Sequence, residues 1–389
     1  MFDPTKERKN EIDLNIMIAI AGFFIIIFLL TMIIFIFNAV KNEKKNEIEI
    51  SYNDLNNIIN TSQEEDKKTN ITDEVQNISK SNMEVIINND NDNVNMNAYK
   101  TEETNPYNVD GAKIINGDLK KGLTIQDRNG NQWVWIEVPF SVTKNANSYD
   151  EIEKALENYI KHDYEGNNLI ISRNGGTDTN YEGTGLTDEQ YKNKKNKMLD
   201  RVKKNGGFYI GKYETGYEPV SEEKIRQGSN NNDEHQTNEK PVIKPNVLPY
   251  NWVNCNKAEE LSESLSVGDL NSSILFGIQW DLVLKYLNTK GLKTNFLIED
   301  SSRLGNYKNN GDKILLKTGN TRYNALLEIN DLAGNVWEWT LENSGNVQAP
   351  STARGGGFNI DGLSGTLLYR AKAKINTFSN NIGFRCTLY

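Results

Sequence analysis

Twenty-two consecutive residues from Ile16 to Phe37, IMIAIAGFFIIIFLLTMIIFIF, carry no charge. As a helix they reach roughly 33 Å at 1.5 Å per residue, enough for a bilayer core. A helix buried in a globular domain is rarely apolar on every face over about six turns. The run is also longer than the apolar stretch of a cleavable signal peptide, and only Asn38-Ala39-Val40-Lys41 follows it. We therefore expect one transmembrane helix over 14–40, after a short tail at 1–13. Lys6, Arg8 and Lys9 precede the span and Lys41, Lys44 and Lys45 follow it, so the positive-inside count is even. The short tail and the long downstream chain favour an uncleaved signal anchor. The expected localisation is the cell membrane, single-pass, with the C-terminal part outside the cell.

The next segment cannot build a core. Asn, Asp, Glu and Ser crowd residues 41–105, with IINNDNDNVNMN at 86–97, and Tyr52 and Tyr99 are its only aromatics. Residues 46–105 hold four basic and 13 acidic side chains, which accounts for the net charge of −9. Such a chain buries too little apolar surface to offset its conformational entropy, and its like charges extend it. An acidic, disordered linker is expected over 41–105. The rest of the protein is close to neutral, which excludes a basic nucleic-acid binder. Two cysteines and two histidines exclude a disulfide-dense scaffold and a Cys/His zinc module.

Beyond Pro106 the texture changes, and all six tryptophans lie there. QWVWIEVPFSV at 132–142 reads as strand, followed by a helix candidate at 149–162. GGFYIGKYETG at 206–216 reads as a strand bounded by glycines. Helices are expected near 257–265 and at 278–288, where IQWDLVLKYLN spaces apolar residues three and four apart. The last hundred residues are short strands joined by Gly/Asn turns. The fold class is α+β with much irregular backbone, in one domain over 106–389.

Several motifs stand in a telling order: KPVIKPNVLPYNWVNCNKAEELSE (240–263), SSILFGIQWDLVLKYL (272–287), INDLAGNVWEWT (329–340), ARGGGF (353–358) and YRAKAKINTFSNNIGFRC (369–386). This order resembles the formylglycine-generating enzyme, or sulfatase-modifying factor, family, whose fold is a variant of the C-type lectin-like fold. The core resemblance covers 206–389. The acidic motif usual before the second helix is replaced by LFGIQW, which keeps only Trp280. The resemblance implies a structural calcium ion at GNVWEW, held by the carbonyls of Gly334 and Val336 and the carboxylate of Glu338, with Asn335 nearby. Hard oxygen ligands on an irregular loop suit calcium. The alternative is a surface carboxylate beside a tryptophan core. Arg385 reads as a buried ion-pair partner rather than a catalytic group.

Enzymes of this family oxidise a substrate cysteine with a copper-binding cysteine pair between the RGG and YR segments. Here that interval is FNIDGLSGTLL (358–368), without cysteine. Copper(I) needs soft ligands, and Ile, Asp, Gly and Ser cannot replace two thiolates. The ergothioneine-pathway branch of the superfamily holds iron with histidines, but His162 and His235 form no His-x-x-x-His-x-Glu pattern. No copper or iron is expected, and no catalytic residue is assigned. The family bonds its GFRC cysteine to one near the preceding helix, which makes Cys255 and Cys386 candidates for a disulfide; two buried thiols are the alternative.

What remains is a recognition module. Irregular loops on a rigid scaffold suit variable contacts, and the expected ligand face comprises Asn359, Asp361, Leu363, Ser364, Thr366, Asn376, Phe378 and Asn380. The expected function is that of a membrane-anchored, surface-exposed binding protein with a protein or glycan ligand. The alternatives are a formylglycine-generating-type oxidoreductase and a binding protein diversified by a retroelement.

Overall fold

The QWVWIE run forms a strand, and Pro139 after it turns the chain into a short helix rather than extending the strand to 142. This computed structural model describes residues 96–161, 181–218, 239–311 and 313–389. The span expected at 14–40, the linker up to residue 95, and both His162 and His235 lie outside the described residues. Among the described residues, no helix is long and apolar enough to cross a membrane.

The largest sheet has six strands in the order β1-β2-β3-β4-β12-β7. They are β1 (Lys113–Asn116), β2 (Thr124–Gln126), β3 (Gln132–Glu137), β4 (Gly207–Gly211), β7 (Ser272–Ile274) and β12 (Cys386–Leu388). All of its pairings are antiparallel, and β12 lies inside the sheet, between β4 and β7. A second sheet runs β10-β9-β8-β11, from Ala371–Ala373, Ser351–Arg354, Trp337–Asn343 and Ile382–Phe384, with β8 and β11 parallel. Two residues each from β5 (Gly216–Tyr217) and β6 (Pro241–Val242) form a small ribbon. The architecture is mixed α and β with long irregular connections, as the composition of the C-terminal part predicts.

The helices follow local rules. After α1 (Phe140–Thr143), helix α2 (Tyr149–Lys161) buries Ile152, Leu156 and Ile160, spaced four apart on one face. Helix α4 (Cys255–Glu263) starts two residues before its expected position because Asn254 accepts from the Lys257 amide as N-cap. Helix α5 (Gly277–Thr289) is buried from Gly277 to Leu287 on all sides, as expected of a central helix. A short α6 (Thr294–Ile298) follows.

The motif reading passed over α3 (Asp188–Asn205), whose lysine-rich surface hides its period. Its signals are local. Thr187 and Gln190 form a capping box, Gly206 closes the end at φ +67°, and Tyr191, Lys195, Met198, Leu199 and Val202 share the buried face.

One boundary needs correction. Residues 96–105, assigned to the linker by composition, pack against the domain. Met96 and Tyr99 join the core, Asn105 donates its amide to the Asn205 carbonyl, and Trp135 Nε1 donates to Thr104 Oγ1 at 3.0 Å. A few well-placed apolar and hydroxyl groups suffice to dock a polar strand of chain.

Candidate recognition loop and its buried charges

The loop that carries the expected ligand face leaves β9 at Arg354 and returns at Arg370, just before β10. Both arginines are held by the same two carboxylates. Arg354 contacts Asp281 of α5 at 2.8 Å and Glu342 of β8 at 3.1 Å, and Arg370 contacts each of them at 2.6 Å. The Arg354 side chain has no exposure and its guanidinium lies 5.5 Å from the Trp280 ring centroid. This closed, neutral ring of four charges clamps the two ends of the loop together. Burial pushes the Glu342 carboxyl up, but Arg370 and Arg354 overcome that and hold it below the usual range. Such a ring adds little net stability against an apolar equivalent, yet it tolerates no missing member.

Further contacts fix the loop interior. Trp280 Nε1 donates to the Leu367 carbonyl at 2.9 Å, Ser301 Oγ accepts from the Leu367 amide, and the Ser301 amide donates to the Gly362 carbonyl. These contacts pull 365–368 inward, so Thr366 is buried at 6% exposure and does not belong to a ligand face. Asn359, Leu363, Ser364 and Asn376 are exposed, while Asp361, Phe378 and Asn380 are half-buried. The Asp361 carboxylate accepts from the Ser364 amide, which holds it below its usual range. Phe378 rests against Trp252 with ring centroids 6.3 Å apart, and the Asn380 carbonyl accepts from Asn251 Nδ2. The sequence reading missed Trp337 and Tyr369 as members of this face. Their rings lie 6.0 Å apart, with Tyr369 half exposed above a Trp337 that is 6% exposed.

At GNVWEW the carboxylate that the resemblance offers to calcium has a cationic partner. Glu338 is buried and committed to Arg385, whose Nε meets both carboxylate oxygens at 3.1 and 3.0 Å and whose Nη2 meets Oε1 at 2.8 Å. The same guanidinium donates to the carbonyls of Gly211 and Asn330, both at 2.9 Å. Arg385 thus occupies an all-oxygen cage of the kind a hard cation would take. Asn335, in a left-handed conformation at φ +59°, donates through Nδ2 to Glu214 at 2.6 Å and accepts through Oδ1 from Asn306 and Leu316. The amide of Val336 donates to the other Glu214 oxygen, and that of Gly334 to the Gly355 carbonyl. Among the described residues, no group of three or more His, Cys, Asp or Glu side chains is placed to hold a metal. The ion-pair reading of Arg385 holds: its guanidinium engages the Glu338 carboxylate that the resemblance offers to calcium.

Glu214, Asp331 and Glu338 share this one arginine. Burial raises Glu338 to about 7 and Asp331 to about 6, with Arg385 opposing both shifts. Glu214 is pushed well above its usual range, first by burial and then by the Asp331 and Glu338 charges.

The expected disulfide is not formed. Cys255 and Cys386 are both free and fully buried. The Cys386 thiol is 3.2 Å from Ser262 Oγ and 3.2 Å from Thr215 Oγ1, and Cys255 donates to the Thr340 carbonyl at 3.7 Å. Each sulfur has its own polar partner, and α4 begins at Cys255 instead of carrying a cysteine further along. Burial pushes the Cys386 thiol up to about 11 and the Cys255 thiol higher still. Neither is a ready thiolate.

The RGGG turn and the buried GFR arginine stand in the order of the sulfatase-modifying-factor motifs, and the interval between them holds no cysteine. Comparison agrees: residues 295–388 match the family model described as a sulfatase-modifying factor enzyme 1-like domain. Among solved structures, Treponema denticola variable protein 1 is similar at 13% identity and a TM-score of 0.33, over 47% of this chain and 84% of that one. CarF is similar at 16% identity and a TM-score of 0.31, over 46% of this chain and 85% of that one. Likeness at that level says nothing of ligand or activity. No curated protein matches the chain.

Proposed function

We propose that this protein is a recognition module, displayed at the cell surface from the single span at 14–40, and that it is not an oxidase. The observation that carries this reading is the loop 355–369. It holds no cysteine, its two ends are clamped by the Asp281–Glu342–Arg354–Arg370 ring, and its crest presents Asn359, Leu363 and Ser364 to solvent. A rigid base under an exposed, chemically plain crest is suited to binding and offers no thiolate for cysteine oxidation. The protein's only two thiols are buried elsewhere.

Two measurements test the proposal on the full chain. A photoreactive residue at Leu363 is expected to crosslink a ligand on intact cells, whereas the same probe at Ile115, on edge strand β1, is not. In parallel, incubation with copper(I), oxygen and a cysteine-containing peptide is expected to leave the peptide thiol unconverted. Stoichiometric aldehyde, or crosslinking that is equal at both positions, overturns the reading.

A further inference from the structure

Independently of the recognition loop, we infer that a cleft beside the C-terminal half of α3 binds a phosphate group, carried by a soluble phosphomonoester or by a lipid headgroup. The cleft measures about 640 Å³ and lies between α3, the turn that precedes β7, and Tyr389. That volume is in the range of small-ligand sites.

The charges along α3 divide at this cleft. In the first half of the helix every lysine meets a carboxylate: Lys192 reaches Asp188 at 2.7 Å, Lys194 reaches Glu259 at 2.8 Å and Glu263 at 2.6 Å, and Lys195 reaches Glu153 at 2.7 Å. From Lys197 onward the lysines have no such partner. Lys197 donates to the side-chain oxygen of Asn271 at 3.2 Å, and Lys203 donates to the Ala146 carbonyl. Lys204 is exposed and makes no hydrogen bond or ion pair with a described residue; its charge reaches Asp269 only at a distance.

Arg201 sits among these lysines and is held in place. Its Nη2 donates to Asp269 at 2.8 Å, and its guanidinium lies 5.4 Å from the Tyr107 ring centroid. Its Nε and Nη1 donate to no described residue, so a positioned fork lines the cleft with donors to spare. Lys197, Arg201 and Lys204, four and three positions apart, share one face of the helix and border the same space. The floor beneath them is fixed, because Asn271 and Tyr389 exchange backbone hydrogen bonds of 2.7 and 3.0 Å and Tyr389 is fully buried.

The balance of charge specifies the ligand. Asp200 also lines the cleft, and its carboxylate accepts from the Tyr149 hydroxyl at 3.0 Å. The lining thus carries four cations against two carboxylates, both already engaged, which leaves two positive charges without a counterpart. A dianionic phosphate monoester matches that surplus, since its oxygens accept from a guanidinium fork and from ammonium groups together. A cation would meet like charges, and a single carboxylate would balance only half of the surplus.

The test titrates the full chain in detergent micelles with inorganic phosphate, at constant ionic strength and slightly alkaline pH, followed by calorimetry. One equivalent is expected to bind, and glycerol 3-phosphate should compete where acetate does not. Affinity should fall about tenfold in Arg201→Gln and several-fold in Lys197→Gln and Lys204→Gln. Lys192→Gln, at a paired position on the same helix, should leave it unchanged. Lys197 and Lys204 are exposed, so their variants report on binding even if Arg201→Gln disturbs the packing of Tyr107. Discs of phosphatidylcholine doped with phosphatidic acid separate the two sources, with oleate at equal surface charge as the control for repulsion. A headgroup in the cleft blocks added phosphate in the phosphatidic acid discs alone, whereas a soluble source leaves phosphate binding equal in both. Either result supports the site. Absence of saturable phosphate binding in micelles, competition by acetate equal to that of glycerol 3-phosphate, or equal weakening by Lys192→Gln overturns the inference.

Discussion

Replacing Glu342 by Gln tests the charge ring at the root of the recognition loop. The substitution keeps the side chain's shape but removes one of two carboxylates holding Arg354 and Arg370. Both guanidiniums must then share Asp281, in a place where Arg354 has no contact with solvent. Breaking a buried pair by removing one partner costs about 3–5 kcal/mol, which in a domain of this size lowers Tm by roughly 6–10 °C. The exposed pair of Arg128 and Asp110, with both side chains about 60% accessible, is the internal control. Asp110→Asn should stay within about 0.5 kcal/mol of wild type.

The pH dependence gives a second handle on the same variant. The Glu342 carboxyl is held below its usual range in the folded protein, so its contribution is present above the unfolded value of about 4.3 and is lost as pH falls through the folded value. The gap in Tm between wild type and E342Q should therefore be flat from about pH 6 to pH 8 and close in acid. Thermal unfolding of the full chain, followed by circular dichroism across that range, reads both effects. A variant within about 1 kcal/mol of wild type at pH 7, or a gap that does not close in acid, refutes the account of the ring.

Three other outcomes are expected. The folded-state values of Glu338 and Asp331 are raised to about 7 and about 6, so the stability these groups contribute is full below their unfolded values and lost as pH rises through the folded ones; the wild-type Tm should fall between about pH 5.5 and pH 8. With Arg385 in the oxygen cage, millimolar calcium or a chelator should leave Tm unchanged, and a calcium-dependent rise would show that the cage admits the ion. Cys255 and Cys386 should resist a thiol reagent in the native protein and react fully once it is unfolded, because both are buried with raised thiol values.

Local chemistry made much of the domain legible in the amino-acid sequence. The spacing of IQWDLVLKYLN specified α5, the GNVWEW, RGGG and GFR pieces pointed to the family model that residues 295–388 match, and the interval at 358–368 holds no thiol. Each of these signals acts over a few residues: side-chain period, turn geometry, or the presence of a thiol. Even α3 was readable in this way, from the capping box of Thr187 and Gln190 and the glycine at 206, had its lysines not masked the pattern.

The partners of the buried charges were decided by tertiary structure alone. Arg354 meets Asp281 73 positions away, Arg370 meets the same carboxylate 89 positions away, and Arg385 meets Glu338 across 47. In each case the strand register and the packing of α5 choose which carboxylate faces which guanidinium, and a buried charge then accepts no substitute. The same packing paired Glu338 with Arg385, drew Thr366 inward, and gave each thiol its own polar neighbour. Periodicity and motif order determine what kind of domain forms, because they are properties of neighbouring residues. Which polar groups pair with one another depends on distances between residues that only the folded chain brings together.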